Sequence, residues 1–105
     1  MEPLTENQRI ALAKIGHPNH LDDLVNDPNW WVRKQVVSHG NLQHLDKLVN
    51  DSHEWVRLQV AKQGQMKHLD KLVNDPHWEV RNLAKNKLKE LKMSNSTFSD
   101  LNLIN

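Results

Sequence analysis

The chain has 105 residues, with 14 Lys and Arg against 13 Asp and Glu and no cysteine. This length makes one small domain, able to bury about two-thirds of its unfolded surface. The near-neutral balance argues against a dedicated phosphate-backbone binder or an acidic mimic of nucleic acid, and without cysteine there are no disulfides, iron–sulfur clusters or zinc–thiolate sites. No apolar run approaches the roughly 18 residues of a membrane span, and no signal peptide opens the chain, so a soluble cytoplasmic protein is expected.

The predicted elements follow from a 24-residue period. His20-Leu21-Asp22-Asp23-Leu24-Val25-Asn26-Asp27 recurs as His44-Leu45-Asp46-Lys47-Leu48-Val49-Asn50-Asp51, and again as His68-Leu69-Asp70-Lys71-Leu72-Val73-Asn74-Asp75. Val32-Arg33, Val56-Arg57 and Val80-Arg81 keep the same offset. Such a period marks an all-α solenoid in which each unit buries its apolar face on its neighbours.

First in the chain comes a half-unit, residues 1–16. Arg9 and Gly16 lie one period before Arg33 and Gly40, which predicts a long helix over 6–15 with Thr5 and Gln8 as its capping box. Units 17–40, 41–64 and 65–92 follow. In the middle one, Leu42, Leu45, Leu48 and Val49 fall at i, i+3, i+6 and i+7 on one side of a short helix. Asp51 is the expected N-cap of a second, longer helix, with Glu54 three residues on. Pro28 and Pro76 take the corresponding first helical position in the neighbouring units. Val56, Val60 and Ala61 point inward, and the helix stops at Gly64, as its counterparts do at Gly40 and Gly16. Four long helices thus alternate with three short ones.

The last unit departs from the pattern. Leu88 replaces the stop glycine, so the final helix runs on with Val80, Leu83, Ala84, Leu88 and Leu91 near one azimuth. Lys85 stands where Val37 and Ala61 stood, as a terminal cap requires, and Lys89 and Lys92 share its edge. The units end near residue 92. Residues 93–105 turn Ser- and Asn-rich around Phe98, Leu101, Leu103 and Ile104. Such a tail is disordered, folds back on the last unit, or serves as a docking peptide.

With Asp27…Arg33, Asp51…Arg57 and Asp75…Arg81 in place, the chain resembles the HEAT-like repeats, and most closely the 24-residue leucine-rich repeat variant. The shared motif, L-x-x-L-V-x-D-P-x-W-x-V-R-x-x-V-A, covers about residues 17–92. The resemblance implies a right-handed superhelix pairing an α-helix with a short, often 3₁₀, helix. It also implies protein-binding or scaffold roles without shared catalytic residues. A cysteine-rich iron–sulfur extension found in part of that family has no counterpart here.

The Asp and Arg residues can be read as an acid–base row or as a structural ladder of charge-assisted hydrogen bonds between units; the ladder is the expectation. His20, His44 and His68 share one position, but helices spaced about 8–10 Å apart hold such a row too far apart to converge on zinc, so no metal or other cofactor is expected. Trp30 and Trp78 are assigned to packing between units. Trp31 and Trp55 lie about 100° further round; with Leu58, and with Lys34 and Lys62 at the rim, they form a partner-binding face or else lie flat between long helices. Lys85, Lys89 and Lys92 are the alternative, nucleic-acid-binding, edge. Nothing pairs a nucleophile with a base, and the glycines are spaced as helix stops, so an enzyme is not expected. The sequence therefore predicts a small protein-interaction module. Nucleic-acid binding or homo-oligomeric stacking are the alternatives.

Overall fold

The computed structural model describes the backbone of residues 2–104 and the side chains of residues 2–93. Among the described residues there are seven α-helices and no strand: α1 (Glu6–Ile15), α2 (Pro18–Leu24), α3 (Trp30–Ser38), α4 (Leu42–Leu48), α5 (Glu54–Gln63), α6 (Met66–Leu72) and α7 (Trp78–Ile104). Long and short helices alternate. The long ones pack in chain order, α1 on α3, α3 on α5 and α5 on α7, and each short helix lies against the long helices that flank it. No described helix is long and apolar enough to cross a membrane.

Local chemistry explains the start and stop of each helix. Thr5 and Gln8 form the expected capping box on α1. Gly16 and Gly64 end α1 and α5 in the left-handed conformation that a residue with a Cβ resists. The caps of the other long helices differ from expectation. Asn29 caps α3 and His53 caps α5, so the aspartates lie two residues outside the helices, and Pro28 and Pro76 precede the first helical position. Asp51 is excluded from capping because its carboxylate is committed elsewhere. It accepts the His53 N–H, shaping the turn, and the Arg33 guanidinium of the preceding unit.

One continuous core runs through the stack. Val32, Val36, Val37, Val56, Val60, Ala61, Val80 and Ala84 of the long helices are fully buried against Leu45, Leu48, Leu69 and Leu72 of the short ones. Each buried leucine stabilises the fold by about 1.5–3 kcal/mol. Leu42 was expected to join this stripe but is 47% exposed. At 100° per residue, the buried arc of α4 runs from His44 through Leu48 and Leu45 to Val49, which puts Leu42 at its edge. His44 occupies the inward position in its place.

At the far end α7 continues through Ile104 without a break, where the change in composition had suggested a boundary near residue 92. No glycine or proline follows Pro76, so nothing in the backbone chemistry stops the helix. The side chains of residues 94–105, which include Phe98, Leu101, Leu103 and Ile104 of the proposed tail, lie outside the described residues.

Candidate functional site

Three sets of polar contacts tie one unit to the next. In the first, Arg9, Arg33 and Arg57 each reach the aspartate of the following unit: Arg9 Nε donates to Asp27 at 2.6 Å, Arg33 Nε to Asp51 at 2.7 Å and Arg57 Nε to Asp75 at 2.7 Å. Arg33 and Arg57 bind both carboxylate oxygens, and each also donates to the main-chain carbonyl of the aspartate in its own unit. The hydrogen bond to Asp51 holds the Arg33 guanidinium above its ordinary pKa against the opposing effect of burial. Clefts of about 400 and 280 Å³ open beside Arg33 and Arg57, and each guanidinium already pairs with an aspartate of its cleft, Asp51 and Asp75. The arrangement links successive units and engages Asp27, Asp51 and Asp75 each with a guanidinium.

The second set was not anticipated. His44 and His68 are 5% and 3% exposed, and their Nε2–H groups donate to Asp22 at 2.8 Å and Asp46 at 2.7 Å. Each Nδ1 is buried and has no hydrogen-bond partner among the described residues. Hydrogen bonds from Lys67 and then from His68 hold the Asp46 carboxyl below its ordinary pKa. His20, the first of the row, is exposed. Among the described residues no three histidine, aspartate or glutamate side chains are grouped to hold a metal ion. A third contact joins Lys47 to Asn26 and Lys71 to Asn50. The signal for the histidine set was present in the sequence. His-Leu-Asp recurs at 20–22, 44–46 and 68–70, a donor and an acceptor repeating in step.

The four tryptophans gather with His53 and His77 at the N-terminal ends of α3, α5 and α7. Trp31 is 37% exposed and packs edge-on against Trp30 at 5.7 Å. Trp30 in turn stacks on His53 at 4.2 Å, almost parallel. His53 Nδ1 accepts the Trp55 N–H at 3.1 Å and so caps α5. Trp55, 36% exposed, lies 6.2 Å from His77, and His77 lies 6.4 Å from Trp78. Six rings thus line one edge of the stack. Trp30 packs between units as expected, but Trp78, stacked only on His77 among the described residues, is 59% exposed.

The remaining residues of the expected face are distributed differently. Lys34 Nζ sits 4.7 Å over the Trp31 ring, a cation–π contact that covers part of the indole. Leu58 is half-buried against the core. Lys62 is exposed about 10 Å beyond Trp55, seven residues along α5. The structure replaces Leu58 and Lys62 at this surface with His53, His77 and Trp78. Sequence reading missed these because their association depends on rings from adjacent units touching. Elsewhere, Lys85, Lys89 and Lys92 do converge, lining one groove with Val73, Leu88 and Met93.

No family model, curated protein or solved structure matches this chain.

Proposed function

We propose that this chain is a small non-catalytic protein-interaction module, an adaptor or an inhibitor, that acts in the cytoplasm. Its architecture on this reading is a right-handed α-solenoid of the HEAT-like, leucine-rich-repeat-variant kind. The observation that carries the proposal is the aromatic edge, where Trp31, Trp55 and Trp78 stand partly exposed on three successive long helices. Large apolar rings left in contact with water, and held rigid by caps and stacking, are the commonest anchors of protein interfaces. A partner that covers them gains the desolvation of the indoles, and the imidazoles of His53 and His77 add polar contacts between the anchors. Two supporting features are the arginine–aspartate and histidine–aspartate pairs, which lock adjacent units and so present the edge without an ordering cost on binding.

The test is a pull-down from host lysate with wild type and the Trp31→Ala/Trp55→Ala variant, with and without nuclease. Circular dichroism first establishes that both are equally helical. The proposal expects a protein retained by wild type alone and indifferent to nuclease. Capture that vanishes with nuclease yet survives the double substitution would move the function to Lys85, Lys89 and Lys92. A mass that rises with concentration in light scattering would instead favour homo-oligomeric stacking.

A further inference from the structure

We infer that the open end of the stack is a second docking site, which takes an acidic amphipathic helix of a partner protein. The internal units show what this kind of surface is built to hold. Val25 and Val49, the residues that end α2 and α4, are each 6% exposed beneath the units that follow. Val73 ends α6 at the same position but is only half-buried, and it lines a groove of about 580 Å³ together with Leu88 and Met93. Ala13 makes the same point from the first helix. α1 packs on α2 and α3, the next short and long helices, and Ala13 on it is completely buried. One period later, and again after that, Val37 and Ala61 are equally buried. After α7 no such helix exists among the described residues, and the groove is the space it would fill.

Charge then selects the helix. The position of Ala13, Val37 and Ala61 is held by Lys85, and Lys89 and Lys92 complete the groove's rim. All three are exposed, and the single carboxylate of this stretch, Glu90, does not line the groove. An apolar floor between ammonium groups is complementary to a helix with leucine-like residues on one face and carboxylates at its flanks. A neutral amphipathic helix would leave the lysines unanswered. Nucleic acid would leave Val73 and Leu88 unused. This site is separate from the aromatic edge, and its occupancy does not depend on that edge being functional.

The experiment uses the full chain and fluorescence anisotropy. The probe is a labelled peptide of leucine and glutamate, about 18 residues or five helical turns, with leucine every third or fourth position. Controls are the same composition with leucines spread around the helix, a leucine–lysine version of the amphipathic peptide, and a short DNA duplex. Wild type is expected to bind the leucine–glutamate peptide saturably, and the scrambled peptide at least about tenfold more weakly. The Lys85→Glu/Lys89→Glu/Lys92→Glu variant, altered only at exposed positions, is expected to lose that peptide and gain the leucine–lysine one. Circular dichroism confirms its helicity, and the gain of binding cannot come from unfolding. Equal binding of the scrambled peptide, no binding, or no change on charge reversal would overturn the inference. Binding of DNA alone, lost on charge reversal, would assign the edge to nucleic acid. A dimer abolished by the same substitutions would assign it to a second copy. Binding that appears only after Phe98→Ser/Leu101→Ser/Ile104→Ser would give the groove to the chain's own tail.

Discussion

The middle of the stack and its C-terminal end are written in nearly the same residues and behave differently. Arg57 holds both oxygens of Asp75, whereas Arg81, one period on, finds only the main-chain carbonyls of Asp75 and Pro76 among the described residues. Trp30 stacks on His53, but Trp78 is exposed. A Cβ on Gly16 would collide with the His39 ring of the next unit and one on Gly40 would press on Gln63, while one on Gly64 would meet nothing. In each series the residue stays the same and the neighbour disappears. In these three series the burial and pairing of a side chain follow from its contact with the following unit.

Paired substitutions can break or sharpen that contrast. The largest difference is expected between Arg57→Ala and Arg81→Ala. Removing Arg57 leaves the Asp75 carboxylate, 5% exposed, without its guanidinium and should destabilise by about 3–5 kcal/mol. Removing Arg81 leaves no buried charge unpaired and should cost under about 1 kcal/mol. Urea unfolding of the two variants decides the matter, and equal losses would mean that the arginine–aspartate pairs do not lock the units.

Gly16→Ala and Gly64→Ala come next. Both force alanine into a left-handed conformation, at about 1–2 kcal/mol. Gly16→Ala also displaces His39, whose Nε2–H donates to the Ala13 carbonyl at 2.6 Å, and an unpaired partly buried carbonyl adds about 1–3 kcal/mol. Thermal denaturation should therefore rank Gly16→Ala below Gly64→Ala. The reverse order would place His39 elsewhere in solution.

The smallest effect is one of pH. Asp46 has its pKa lowered by hydrogen bonds from Lys67 and His68. A carboxyl whose folded pKa is depressed adds stability above its unfolded pKa, and that stability is lost as pH falls through the folded value. Asp46→Asn should accordingly flatten the acid limb of the stability profile below the ordinary carboxylate range, relative to wild type. Chemical denaturation at stepped acidic pH measures this directly, and identical profiles for variant and wild type would remove the Asp46–His68 contact from the account of stability.

Much of this structure was legible because it is local. The alternation of four long and three short helices, the Thr5–Gln8 capping box and the left-handed turns at Gly16 and Gly64 all depend on residues a few positions apart. Lys85 stands out in the sequence because one period upstream the same position is apolar. The caps were misassigned for an equally physical reason. Asp51 has the chemistry of an N-cap, and only the arrival of Arg33, 18 residues earlier in the chain, commits its carboxylate to another unit. The burial of His44, the stacking of Trp30 on His53 and the exposure of Trp78 also lie beyond local reasoning. The candidate binding edge was therefore half visible. Trp31 and Trp55 could be named from their register, whereas His53, His77 and Trp78 join them only through contacts across units.

By itself, the sequence determined which segments are helical and where most of them stop, because periodicity, turn glycines and short-range hydrogen bonds act within a few residues. Only the tertiary structure decided which arginine meets which aspartate, which histidine is buried and which tryptophan is left in water. Equivalent residues in a repeated sequence carry identical local signals, so what separates one from another is whether a neighbouring unit is there to cover it.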